Sequence, residues 1–333
     1  MSARDRIVSS IRRRYQREPH AGSGAIEGLR DTWSRYPAEW RKDPQLNLGF
    51  TTLGDEWGGP DFADFIIDLV SPYIGSDADV IELGCGGGKF SQRLAPRCRS
   101  LLCTDISVAM LTHTRNNLAK RQLDGNVSYV ALNGVDFEEM PPASADLIFS
   151  YDVLLHLQPQ NVFSYMFDAR RVLRDGGVFM LHQINLDSEG GMAHFLEQYS
   201  AGTWKHGFED PRRRGHVYFM SQDQMSALAT HAGLVIDRIV SDQGEFNGVT
   251  GWRDLIGFLR KRPSRLEGRQ PDSVRLLKSP GDSTVYVVLD GQRVALNSAR
   301  QFERARFRWQ SVEEIDEREL DQIPDGGALE PWE

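Results

Sequence analysis

Cysteine is scarce in this chain: three among 333 residues, at Cys85, Cys98 and Cys103. Their spacing fits no metal-ligand pattern and their number no even disulfide framework, so reduced thiols in a cytoplasmic protein are expected. Long apolar runs are missing too. No stretch nears the roughly 20 residues that cross a bilayer, and Met1-Ser2-Ala3-Arg4-Asp5 lacks the apolar core of a signal peptide. A membrane role is therefore not expected. Nor is there a basic excess: 39 Lys and Arg stand against 47 Asp and Glu, a net charge of −8. That balance argues against a general nucleic-acid binder, which would want a positive surface. Arg12-Arg13-Arg14 and the acidic stretch from Glu313 to Glu333 read as solvated surface.

The richest local signal is Val80 to Phe90, V-I-E-L-G-C-G-G-G-K-F. An apolar strand ends in Glu82 and enters a turn with Gly84, Gly86 and Gly88, where missing Cβ atoms let a ligand lie against bare backbone. A dinucleotide turn would place a third glycine where Lys89 stands, so the nicotinamide or flavin fingerprint is absent. A tight turn with no ligand uses the same residues. The next acidic residue shifts the balance. Ser100 to Thr104 reads as a second strand, and Asp105 stands at its tip, placed to accept the two hydroxyls of a ribose.

Five motifs follow in order: E-L-G-C-G-G-G-K-F at 82–90, T-D-I-S-V-A-M-L at 104–111, L-N-G-V-D-F at 132–137, A-D-L-I-F-S-Y-D-V-L-L-H-L at 145–157 and R-V-L-R-D-G-G-V-F-M-L-H-Q at 171–183. On these residues the chain resembles a class I S-adenosylmethionine-dependent methyltransferase of the small-molecule type, over about 79–262. The resemblance implies an α/β fold with a Rossmann-like seven-stranded sheet, and S-adenosyl-L-methionine as cofactor. It implies that Asp105 holds the ribose and that Glu82, with Gly84, Cys85, Gly86 and Gly88, holds the amino-acid end. Ile106 and Met110 would flank the adenine, and Gly134, Val135 and Asp136 would read its edge. Ser150 would close the set. The alternatives are helix packing for Ile106 and Met110 and a helix-start residue for Asp136. The Cys-x₃-Cys-x₂-Cys cluster of radical S-adenosylmethionine enzymes is absent, so polar chemistry is expected.

Tyr151 and Asp152 end the fourth strand where the methyl must emerge, and His156 follows four residues later. Asp152, His156 and His182 are the candidate catalytic residues, since a carboxylate or imidazole can take a proton from a hydroxyl or amine. A histidine in an apolar run is also an ordinary hydrogen-bonded core residue. Asp152 has no clustered carboxylates around it in sequence, so no metal is expected. The Asp/Asn-Pro-Pro-aromatic signature and the Pro-Cys pair of DNA-base methylation are missing. Tyr151, Gln183, Trp204, His206, Arg214 and Tyr218 are candidate substrate contacts, the last four within an insert read either as a lid or as a solvated loop. Glu56 and Trp57 are candidates for the opposite wall.

The organisation expected is a helical segment over 1–77 covering the active site, a methyltransferase domain over 78–262 with a lid insert at 185–220, and a small α+β module over 273–333. Strands are expected at 79–83, 100–104, 127–132, 145–150 and 177–183, then from Leu234 to Val240 and from Asp254 to Leu259. Ser221-x-x-Gln224 predicts a helix start and Gly233 its end. Asp290-Gly291 between alternating apolar residues predicts a hairpin, and Pro324-Asp325-Gly326-Gly327 a turn. The function expected is methyl transfer to a hydroxyl of a sugar-like or natural-product molecule, with no nucleic-acid partner and a homodimer as one arrangement. The alternatives are N-methylation of an amino sugar or amine, and a binding protein on a methyltransferase fold.

Overall fold

The computed structural model describes residues 23–202, 217–241, 252–266 and 269–330. Strands β1 (Asp79–Leu83), β2 (Ser100–Asp105), β3 (Val127–Ala131), β4 (Ala145–Ser150), β5 (Leu173–Asn185), β6 (Phe219–Met220), β7 (Leu234–Val240) and β8 (Asp254–Lys261) share one sheet. The order is β3-β2-β1-β4-β5-β8-β7, with the two-residue β6 pairing β5. Pairs from β3 through β5 are parallel, whereas β8 runs antiparallel to β5 and β7. A parallel sheet must be covered on both faces, which is why its strands read as nearly continuous apolar runs.

Helices supply the cover. Named in chain order, they are α1 (Ser23–Lys42), α2 (Gly59–Val70), α3 (Ser91–Leu94), α4 (Val108–Lys120), α5 (Pro159–Val172), α6 (Glu189–Ala201) and α7 (Gln222–Ala232). On one face Ile81, Ile148 and Phe179 meet α5 and α7 through Tyr165, Met166, Met225 and Ala229. On the other, Val80, Leu147 and Met180 meet α2 through Ile66, Ile67 and Val70. Local chemistry fixes the helix ends. The Ser107 hydroxyl accepts from the Met110 amide to start α4, Ser188 does the same for α6, and Ser221 for α7. Gly233 ends α7 in the left-handed conformation that a residue with a Cβ resists.

The chain runs outward in opposite directions from β1 and β4, so their carboxyl ends open a crevice at the switch of strand order. Helix α1 lies across this edge. Arg30 donates from Nη2 to the Asn133 carbonyl at 3.1 Å and from Nε to the Ile106 carbonyl at 3.3 Å, and the Ser34 and Ser107 hydroxyls are 3.2 Å apart.

Residues from 276 onward form a second sheet of five strands, β12-β9-β10-β11-β13, made of β9 (Leu276–Lys278), β10 (Val285–Leu289), β11 (Gln292–Leu296), β12 (Val312–Glu314) and β13 (Asp325–Ala328). Its core gathers Val287, Leu289, Val294, Phe302 and Leu329. The hairpin turn at Asp290 and Gly291 has positive φ at both residues, 53° and 79°, as a two-residue turn between twisted strands requires.

Two local expectations change. The fifth strand, expected from 177, already starts at Leu173: Ala145 pairs Leu173 and Leu147 pairs Val178, so Asp175-Gly176-Gly177 is a bulge within a longer strand. The segment 324–327 is not a free turn either. Its glycines form an irregular strand parallel to β11, with a register shift between Arg293 and Ala295.

Candidate active site

One cavity opens at the carboxyl ends of β1, β2 and β4, enclosing about 980 Å³ of space, part of it open to solvent. Its base is the turn after β1, its nucleoside side the end of β2, its far end the segment after β4, and its roof α1 with the loop before α2.

The turn exists because its glycines permit it. Gly84 has φ +74°, and a Cβ there would lie 2.3 Å from Val153 Cγ2. Gly87 faces the roof, where a Cβ would lie 2.3 Å from the Leu53 carbonyl oxygen. A Cβ on Gly86, by contrast, would meet nothing within 4 Å, and Gly86 lines the cavity, so its bare backbone faces the open space. Gly88 packs behind the turn against Thr114 and is not on the wall.

Asp105 joins turn and strand. One carboxylate oxygen accepts the Gly86 N–H at 3.1 Å, and the other accepts the Ser107 N–H at 2.8 Å. Burial raises its pKa to about 6 against those stabilising amides. Glu82 sits deeper. It lies under the turn, accepting from the Ser91 hydroxyl, and is not on the cavity wall. Burial pushes its carboxyl up to about 8, only partly offset by Ser91 and Cys103, so it is largely uncharged at neutral pH. Cys85, Ile106, Met110 and Gly134 line the same end. Val135 is buried beside it. The Asp136 carboxylate is engaged within its own loop, accepting from Asn133 at 2.7 Å and from the Glu138 amide at 3.1 Å.

At the far end Tyr151, Asp152 and His156 line the cavity. Asp152 takes a left-handed backbone, φ +58°, an arrangement costly for a residue with a Cβ. His182 is not on the wall. It is buried behind Tyr151, the two rings stacked at 4.1 Å and 5°. Its Nδ1 is 3.3 Å from Asp152 Oδ1 and its Nε2 is 3.2 Å from Asp254 Oδ1. Burial works against the imidazolium, but Asp254 and Asp152 outweigh it and raise the pKa to about 9. The Asp152 amide also lies 3.2 Å from Nδ1 and would donate to a neutral ring. The Tyr151 hydroxyl donates to Asp254 Oδ2 at 2.9 Å, so a chain of polar groups runs from Asp254 to the cavity.

The other expected residues are not gathered here. Ser150 is buried with its hydroxyl unpartnered, and Gln183 is buried with both amide atoms unpartnered. Tyr218 is half-buried, its amide donating to the Leu155 carbonyl at 2.7 Å. Trp204, His206 and Arg214 lie outside the described residues. Among the described residues no group of three His, Cys, Asp or Glu side chains is assembled for a metal, and no helix is long and apolar enough to cross a membrane.

Sequence reasoning missed part of the wall. Lys89, in sequence only the residue that replaces a dinucleotide-turn glycine, lines the cavity with its ammonium donating to the Gly54 carbonyl at 3.2 Å and to the Trp57 carbonyl. Burial lowers its pKa, with Asp152 and Asp55 the chief opposing charges. It ties the glycine turn to the roof. Trp33 lines the cavity from α1, its ring 6.2 Å from Trp57 and 5.5 Å from His156. A lysine after glycines and a tryptophan in a helix carry no signal of this role. Glu56 accepts from the Tyr36 hydroxyl at 2.9 Å and from the Gly54 amide at 2.7 Å, bracing the roof rather than lining the cavity.

A nucleoside sulfonium fits this arrangement: bare backbone at Gly86, a carboxylate at Asp105 and apolar flanks at Ile106 and Met110. Comparison with known proteins agrees. Residues 80–177 match the methyltransferase domain family. Human thiol S-methyltransferase TMT1B is 30% identical over 128 residues, 38% of this chain and 51% of that protein. Phosphoethanolamine N-methyltransferase 1 of Caenorhabditis elegans is 27% identical over 152 residues, 45% of this chain and 30% of that protein. The chain thus spans about half the length, or less, of these curated relatives. The crystal structure of magnesium protoporphyrin IX methyltransferase from Synechocystis PCC 6803, with bound SAH, shares the fold. It covers 70% of this chain and 98% of its own, with a TM-score of 0.50 at 15% identity. The chain carries a class I S-adenosylmethionine-dependent methyltransferase domain, and S-adenosylmethionine is its cofactor.

Proposed function

We propose that this protein transfers the methyl group of S-adenosylmethionine to a heteroatom of a small polar acceptor bound at the β4 end of the cavity. The carrying observation is the continuity of one cavity from Gly86 and Asp105 to Asp152 and His156. When bound, the cofactor supplies a methyl on a positively charged sulfur. The chain's residues have simpler work. Asp105 and the turn backbone hold the nucleoside, the roof excludes water, and the groups after β4 orient the acceptor and take its proton. Asp152 and His156 are the groups offered for that proton. Asp152 is braced by His182, which acts from behind rather than on the acceptor.

A hydroxyl of a sugar-like or natural-product molecule is the first acceptor reading. An amine is the second, and the carboxylate of Asp152 beside aromatic rings favours it, because that pairing suits a cation. Incubating the protein with methyl-labelled S-adenosylmethionine and a panel of alcohols and amines, read by mass spectrometry, tests the proposal. Label on one acceptor class is the expected result. With that acceptor, His156→Ala should reduce turnover by about 10²–10⁴ if the imidazole is the base. Failure to bind S-adenosylmethionine at millimolar concentration would reduce the protein to a scaffold and overturn the proposal.

A further inference from the structure

The far end of the cavity carries a feature that methyl transfer alone does not require. Trp33, Trp57 and His156 all line it. The Trp33 and Trp57 rings stand at 89° to each other with centroids 6.2 Å apart, and Trp33 and His156 at 59° with centroids 5.5 Å apart. Three rings in different planes make the sides of a box, and Asp152 supplies a carboxylate on the same wall with about a third of its side chain accessible (34%). The box is braced from outside. Tyr36 stacks behind Trp57 at 5.4 Å and 16°, and its hydroxyl is held by Glu56. The carboxylate is braced as well, by His182 at 3.3 Å.

We propose that this end of the cavity is a binding subsite for an alkylammonium group of the acceptor, with Asp152 as counter-ion and Trp33, Trp57 and His156 as aromatic walls. The proposal rests on the methyltransferase reading of the same site and names the acceptor class. Aromatic faces attract a cation through the ring quadrupole, most strongly when water is excluded. A sugar would need several hydrogen-bonding groups around it. Among the described residues this end offers aromatic and aliphatic surface from Trp33, Trp57, Val153 and Leu157, with Asp152 and His156 as polar groups and the Tyr151 hydroxyl turned to Asp254. The charges around Asp152 do not fill the box. His182 is shared between Asp152 and Asp254, Arg253 leans to Asp254 at 3.6 Å, and Lys89, whose chief opposing charge is Asp152, directs its hydrogen bonds to the roof carbonyls.

The test uses the protein loaded with S-adenosylhomocysteine, whose neutral sulfur leaves the subsite without a competing cation. Choline and its uncharged carbon isostere 3,3-dimethylbutan-1-ol are titrated in turn, followed by calorimetry and tryptophan fluorescence. Choline is expected to bind about tenfold or more tighter than the isostere, and Asp152→Asn and Trp57→Leu each to weaken it about fivefold, with S-adenosylhomocysteine kept saturating for each variant. Equal affinity for the two probes, no choline binding, or indifference to both substitutions overturns the proposal. So does choline binding that S-adenosylhomocysteine abolishes, which would assign the box to the cofactor's own sulfonium. If S-adenosylhomocysteine itself fails to bind, the methyltransferase reading falls first, and the two failures are told apart.

Discussion

At the β1–β2 end of the cavity the wall comes from short contiguous stretches: the turn at 84–87, then Asp105 and Ile106 at the end of β2, with the Asp105 carboxylate tying turn to strand. At the β4 end it is side chains brought from separate parts of the chain, Trp33 from α1, Trp57 from the loop before α2, and Asp152 and His156 after β4, with Asp254 reaching in from β8 through His182. The first end depends on local dihedral angles, so it compresses into contiguous sequence. The second depends on where several distant segments are packed. Substitutions that act on cofactor affinity alone should therefore concentrate at the first end and fade toward the second.

Gly84→Ala is the strongest way to break that gradient. The added methyl would lie 2.3 Å from Val153, and the residue would keep a φ of +74°. Overpacking and the left-handed backbone together should cost about 2–5 kcal/mol of stability, and cofactor binding should be lost. Gly86→Ala separates the two effects. Its methyl meets no protein atom within 4 Å, so the fold should hold, losing only about 1–2 kcal/mol for the backbone, while the methyl intrudes where the cofactor lies. Thermal denaturation and calorimetry read both. A Gly86→Ala protein that binds S-adenosylmethionine normally would remove the turn from the binding wall.

Next comes Asp105→Ala. Hydrogen bonds to a charged group contribute about 1.5–3 kcal/mol each, so cofactor affinity should fall about tenfold or more. The same change frees the Gly86 and Ser107 amides that Asp105 now satisfies. Unchanged affinity by calorimetry would dismiss Asp105 as a ribose ligand.

This contrast also explains what was legible in the sequence. The sheet was readable because its central strands are buried on both faces and end in a glycine, an acidic residue or a cap, as at Glu82-x-Gly84 and Asp105-x-Ser107. The bulge at 175–177 was not, since a turn and a bulge share residues and differ only in the partner strand. At the site, Gly84, Gly86 and Asp105 stand out because their residue types are unusual for a strand end. Nothing local marks Lys89, Trp33 or Asp254, whose roles arise from packing. His182, expected among the catalytic residues, lies behind the wall, because strand position gives depth but not which side chain stands in front. Tyr151 screens it.

Lys89→Met examines the seam between the two ends. Its ammonium ties the glycine turn to the Gly54 and Trp57 carbonyls. Removing it should loosen the roof and weaken cofactor binding about three- to tenfold. Stability should fall as well, because the Gly54 and Trp57 carbonyls lose their donor and the buried Asp55 loses its chief opposing charge. Limited proteolysis over residues 50–58 should be faster in the variant. Equal cleavage and equal affinity would mean that packing of Tyr36, Trp40, Leu53 and Met110 holds the roof unaided.

The smallest effect on cofactor affinity belongs to Asp254→Asn, and here the expected change is none. Asp254 touches His182 and the hydroxyl of Tyr151 and is not itself on the cavity wall. What should move is His182. Burial disfavours its charge, and Asp254 and Asp152 overcome this to raise the pKa from 6.5 to about 9. Between those values the native state binds a proton that the unfolded chain has lost. The stability from this pair is therefore complete below pH 6.5 and disappears as pH rises through 9, at up to about 1.4 kcal/mol per pH unit. In the Asp254→Asn variant burial should dominate, the imidazole should titrate well below the native value, and this slope should flatten. Histidine NMR titration and denaturant melts from mildly acidic to alkaline pH would follow both. Cofactor affinity that fell along with the His182 pKa would show the two ends of the cavity to be coupled through β5 and β8, and the division drawn between them would not stand.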